Sequence, residues 1–178
     1  METIQASNGS TPCEAPLPDL ELPMITTLVS CLRSEHKRLD ILNLQLALAA
    51  TRLARDPEEV TAKQRALELW DEVRRVLWSH LQIENGLVLS WGQAHKAIAG
   101  PLLDAFKGEF EQMRNAVTAL TSSSSVVDGR QGELGDPGDF ARRLLVFTQA
   151  LDSHLEHYER EVLPSILRAV FHDRPTRG

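Results

Sequence analysis

Aromatic residues are scarce, at 5% of the chain, which argues against a sheet-built core, where aromatic and β-branched side chains are favoured. Cysteine is scarcer still. Cys13 and Cys31 are the two present, too few for a disulfide framework or a zinc ribbon. No long apolar run exists: the longest, Leu44 to Ala50, is interrupted by Gln45 and is too short to cross a bilayer. Basic residues are scattered and the net charge is −6, so the chain lacks the electrostatic footprint of a nucleic-acid binder. Acidic Glu2 stands where a secretory leader would carry basic residues before an apolar stretch. There is no nucleophile–base arrangement and no phosphate loop, so nothing points to catalytic turnover. A cytoplasmic protein without nucleic-acid or membrane partners is the expectation.

What is abundant is Leu and Ala, within a 42% hydrophobic fraction, and both favour helices. The 178 residues suit one domain with a full core. Residues 1–22, with Pro12, Pro16 and Pro18 among Asn, Gly, Ser and Thr, read as a loose arm. Leu17, Leu20 and Leu22 could pack across the bundle from it. The first helix is expected from about Pro23 to Arg55, ended by Asp56-Pro57. The second runs from Pro57 or Thr61 to about Trp91, on the period Leu69, Val73, Val76, Leu77, His80, Glu84, Leu87, Trp91. After a turn over 92–100, Pro101 suits the first position of a third helix reaching Leu120. A Ser-, Gly- and Asp-rich connection, about 121–138, leads to a fourth helix from Asp139 to Phe171. The bundle thus spans 23–172, and 173–178 is a tail.

The central stretch is Trp78-Ser-His80-Leu-Gln-Ile-Glu84. His80 and Glu84 are one helical turn apart and leave the same face. Such a pair holds one side of a metal ion or forms an ordinary ion pair. A second copy favours the metal ion. Setting His80 on His154, 74 residues on, also matches Leu77 with Leu151, Leu81 with Leu155, Val88 with Val162 and Leu89 with Leu163. The same shift places Glu35-His36 on Glu109-Phe110. Two tandem helical hairpins of the form Glu-His … His-x-x-x-Glu therefore predict an all-α, up-down-up-down four-helix bundle. At 100° per residue, His80 and Glu84 fall among Val73, Leu77, Val88 and Trp91, while His154 and Tyr158 fall with Phe147, Leu151 and Val162. Buried imidazoles and a buried carboxylate are costly unless compensated, and a shared cation compensates them most simply.

With these motifs, the chain resembles the hemerythrin-like (HHE cation-binding) family over roughly residues 23–172, including Leu163-Pro164 ten residues after His154. The resemblance implies a four-helix bundle holding two non-haem irons on histidines and bridging carboxylates, used to bind oxygen or nitric oxide, report redox state, or handle iron. Position by position, it makes His36, His80 and His154 ligands and Glu84 the bridging carboxylate.

Two departures matter. Phe110 stands where the resemblance expects a histidine, and Tyr158 where it expects the second carboxylate. Tyr158 is either a phenolate ligand or a core tyrosine hydrogen-bonded to a histidine. The set His36, His80, Glu84, His154 and Tyr158 suits one ferric ion better than a pair; without the phenolate it also suits Zn or Mn. Di-iron remains the alternative count. His95 is a candidate extra ligand with a surface-loop role as the other reading. His157 pairs with Glu161 at the rim, His172 is surface, and Cys31 is a core or interface thiol. Leu77, Val88, Phe110 and Leu151 line the site and exclude water. The expected function is non-haem iron binding with an altered site that handles iron or binds O2, NO or peroxide. The competing expectation is a metal-free, degenerate bundle acting as a protein-interaction module.

Overall fold

Ile25, Val29, Leu32, His36, Leu39, Asn43, Leu46, Ala50 and Leu53 recur every three or four residues, and all are buried. In the computed structural model, which describes residues 22–123 and 135–172, this stripe is the inner face of helix α1, Leu22–Arg55. Each fully buried leucine contributes roughly 1.5–3 kcal/mol, so packing of the stripe outweighs intrinsic propensity in holding the helix. Expectations that fall on 1–21, 124–134 and 173–178, and on the Leu22 and His172 side chains, lie outside the described residues.

Helix α2, Val60–Glu84, buries Leu69, Trp70, Val73, Leu77, His80, Leu81 and Glu84, then runs on through a π-helical stretch, Asn85–Gly92. Helix α3 is Gly100–Ser123, with Pro101 in its first turn. Helix α4, Pro137–His157, starts on Asp136, whose carboxylate accepts from the Gly138 N–H at 2.9 Å, and Pro137 sits at the first helical position. It continues through a second π-helical stretch, Tyr158–Val162, into α5, Leu163–His172. Among the described residues there is no strand, and no helix is long and apolar enough to cross a membrane.

Helix α1 is the hub, packing most extensively on α2 and α4, while α3 packs on α4. Cross-helix pairs run in opposite order: Glu35 meets His80 while Arg38 meets Glu72, and His36 meets Glu159 while Asn43 meets Thr148. The result is the expected four-helix bundle. Its helices differ from expectation in one respect. The two π stretches begin beside Glu84 and at Tyr158, the positions matched by the internal repeat, and such wide turns recur at functional sites. Far from them, Trp70 meets Phe147 edge to face at 5.1 Å. Cys31 is exposed, not in the core, because neighbouring Leu32 takes the inward position.

Past Gly92 the second rod ends in a capping turn, with Ala97 N–H donating to the Gly92 carbonyl at 2.9 Å and Lys96 N–H to that of Gln93 at 3.1 Å. This paired arrangement needs a left-handed residue, usually glycine. Here Lys96 fills it, at φ 50°. Lys96→Gly should therefore stabilise the fold by roughly 0.5–1 kcal/mol, read as a higher denaturant midpoint with an unchanged slope.

Candidate metal centre

His36 of α1 and His80 and Glu84 of α2 point at one another inside the bundle. One donor atom from each lies within 4.8 Å of the others, and all three residues are buried. The two Nε2 atoms of His36 and His80 are 3.2 Å apart, and His80 Nε2 is 3.1 Å from Glu84 Oε1. Two ligands at right angles, each about 2.2 Å from one ion, are separated by about 3.1 Å. The spacing fits a shared cation.

The outer nitrogens explain the direction of the inner ones. His36 Nδ1–H donates to Glu159 Oε1 at 2.7 Å, and His80 Nδ1–H to Glu35 Oε2 at 3.3 Å. With those protons fixed on Nδ1, each ring turns an Nε2 lone pair inward. Glu84 Oε1 joins them, and despite its closeness to His80 it is out of line for a hydrogen bond and has no partner. Three lone pairs facing one point repel unless a proton or a metal ion stands among them.

The other oxygen of the same carboxylate looks elsewhere. Glu84 Oε2 is 3.1 Å from His154 Nε2, on α4. His154 Nδ1 faces Glu109 at 3.8 Å, too long for a hydrogen bond. Tyr158, one turn further on, is fully buried, with its ring edge-on to His36 at 4.8 Å and its hydroxyl unpartnered. Among the described residues no histidine bonds that hydroxyl. Phe110 is buried and stacks near Phe106, whose ring faces both His154 and Tyr158, so α3 offers the site an aromatic wall. Leu77, Val88 and Leu151 are fully buried in the same core.

The five proposed ligands therefore divide: three converge, while His154 sits across the carboxylate from them and Tyr158 packs alongside. His95 does not join. It is exposed, stacked on Trp91 at 4.7 Å, with Nδ1–H donating to the Trp91 carbonyl. His157 pairs with Glu109 of α3 at 2.7 Å and not with Glu161. The carboxylates behind the histidines, Glu35, Glu109 and Glu159, went unassigned in the sequence reading. Glu35 and Glu109 carried a signal, since they are equivalent in the repeat and each faces the histidine of the next helix in its own half.

The chain matches the profile of the hemerythrin HHE cation-binding domain over residues 18–166. It belongs to the hemerythrin HHE cation-binding family. No curated protein and no solved structure shows comparable similarity. As a hemerythrin HHE domain, it carries a His/Glu cluster suited to a cation, and the unpartnered buried Glu84 Oε1 and Tyr158 hydroxyl fit that assignment.

Without a cation, protons must balance the HHE cluster. Burial opposes a charged His80, but Glu84 and the hydrogen bond to Glu35 overcome it and raise the imidazole to about 9. His154 is likewise raised to about 9, burial being outweighed by Glu84 and Glu109. Burial opposes the Glu84 charge too, yet the facing His80 and His154 hold it well below the usual carboxylate range. His36 is lowered, by burial and by the charge on His80. In the unfolded chain a histidine titrates at 6.5 and a glutamate at 4.5. The His80 and His154 contributions are thus complete below pH 6.5 and vanish as pH rises through about 9. That of Glu84 is complete above 4.5 and vanishes as pH falls through its depressed value, and His36 opposes the other histidines on the acid side. Metal-free protein should lose on the order of 2–4 kcal/mol between pH 6.5 and 9, checked by denaturant midpoints across that range. Glu84→Gln should flatten the profile.

Proposed function

We propose that this HHE domain binds one non-haem iron ion at His36, His80 and Glu84, with His154 and Tyr158 beside it, and uses the site to handle iron or to bind O2, NO or peroxide. The observation that carries this reading is the convergence of the two Nε2 lone pairs and Glu84 Oε1 at separations of 3.1–3.9 Å. Bound there, iron would supply redox chemistry and an open coordination position. The chain does the rest. Glu35 and Glu159 fix the tautomers of His80 and His36 and raise their basicity as ligands. Phe106 and Phe110 keep bulk water from the α3 side. The Tyr158 hydroxyl, pushed well above its ordinary value by burial and by the charge of Glu84, stays protonated in the absence of a cation. It is then a free hydrogen-bond donor inside the site; only a cation makes it a phenolate ligand. Zn and Mn are the alternative ions for this donor set.

A metal-free interaction module is the second reading. Phe110 and the protons held by His80 and His154 favour it, since together they reduce the ligand count and balance Glu84 without a metal.

Metal content and visible absorption of untagged, chelator-free protein separate the two. About one iron per chain is expected, with Glu84→Leu losing both the iron and the stability it contributes, roughly 2.7 kcal/mol at a hundredfold excess over Kd. Tyr158 is the single tyrosine of the chain, so a phenolate-to-iron band removed by Tyr158→Phe would establish it as a ligand. Two irons per chain would assign the second to the Glu84 Oε2 side. A metal-free protein whose melting temperature ignores added Fe and Zn, and is not lowered by Glu84→Leu, would leave the interaction module.

In the metal-binding reading, the carboxylates behind the ligands are the next check. Glu35→Gln and Glu159→Gln should each weaken metal affinity by about 10–100-fold, measured by competition with a chromophoric chelator.

A further inference from the structure

His80 and Glu84 are fully enclosed, whereas His36 also forms part of the wall of an open groove of about 590 Å³ between α1 and α4. Along the groove α1 contributes Arg33, Lys37 and Asp40, α4 contributes Asp152 and Glu156, and the π-helical stretch that follows it contributes Glu159. Four carboxylates thus face two cations. Asp152 is held in place from inside: buried Asn43 donates from Nδ2 to its Oδ1 at 2.6 Å and to the Thr148 carbonyl at 2.9 Å. Glu159 stands where groove and site meet. One of its oxygens receives the His36 Nδ1–H, while the other faces the exposed Arg33 guanidinium at 4.0 Å.

From this geometry we infer that the α1–α4 groove is the passage by which a divalent cation reaches the His36–His80–Glu84 cluster, with Glu159 and His36 as its inner gate. The inference rests on the metal-binding reading above. The groove carboxylates concentrate cations at its mouth, as like-signed clefts do for opposite charges. Glu159 exchanges its hold on His36 for the incoming ion or for Arg33, and the imidazole, at the boundary between groove and cluster, turns its Nε2 back inward behind the ion. A passage acts on rates in both directions and leaves the equilibrium to the ligands.

The test is stopped-flow uptake of Co(II) alone by the full chain, followed by visible absorption, with the equilibrium Kd measured alongside. Asp40→Lys with Glu156→Lys reverses two exposed groove charges that touch no ligand. Glu68→Lys with Glu111→Lys makes the same net change on α2 and α3, at exposed positions away from the groove. The groove pair should load about tenfold more slowly at low ionic strength, with the difference shrinking in 0.5 M salt and with final stoichiometry unchanged. The control pair should load close to the unaltered rate. Equal slowing by both pairs, or unaltered loading by the groove pair in a chain that does bind Co(II), overturns the passage while leaving the metal site standing. A chain that takes up no Co(II) overturns the metal-binding reading, and the passage with it.

Discussion

Three lone pairs aimed at one enclosed point form the interaction on which this bundle's polar centre depends. Left alone, the Nε2 atoms of His36 and His80 and Glu84 Oε1 would repel across 3.1–3.9 Å. Something positive must stand among them. Protons can do it, at the cost of forcing one imidazole to stay charged in a fully buried position while its neighbour stays neutral. A metal ion does it without that asymmetry. The surrounding residues make the convergence sharper: Glu35 and Glu159 turn both rings the same way, and α1, packed between α2 and α4, brings the three elements together.

The two halves of the chain share a plan and differ in what they keep. Each contributes a histidine on its second helix and a carboxylate on its first, His80 with Glu35 and His154 with Glu109. The first half adds His36 and Glu84. The second has Phe110 and Tyr158 at the matching positions, and aromatic rings fill the corresponding volume. Glu84 thereby faces two histidines through one oxygen and a single histidine through the other. The pseudo-symmetry survives in the backbone, where the rods carrying His80 and His154 both widen into π turns at equivalent positions.

Much of this was legible in the order of residues. The apolar period, the Asp56-Pro57 stop, Pro101 and the repeat at 74 residues located the helices, and the polar residues lying on apolar arcs located the site. Two kinds of feature were not. Arithmetic at 100° per residue assumes a regular α-helix, so it passes over the π stretches after Glu84 and at Tyr158. Which surface carboxylate meets which imidazole depends on the offset between helices, fixed by packing and invisible to periodicity within one. His157 illustrates the point: Glu161 stands at i+4, yet Glu109 of α3 takes the hydrogen bond. Cys31 illustrates another, since a one-residue step around α1 separates the core from solvent.

The wide turns carry a consequence for how this chain tolerates changes in length. A π turn holds one residue more than the α-helical path it replaces. Removing a single residue from Asn85–Gly92 or from Tyr158–Val162 would leave a helix with every backbone partner available, rather than a break. Because the wide turn already takes up the extra residue, the downstream phase would be kept, with Trp91 in one rod and Leu163 and Ile166 in the other still facing the core. What would change is the wide turn itself, beside Glu84 and at Tyr158. The surplus residue in each rod widens the helix only next to the polar centre and leaves the apolar seal beyond it in register.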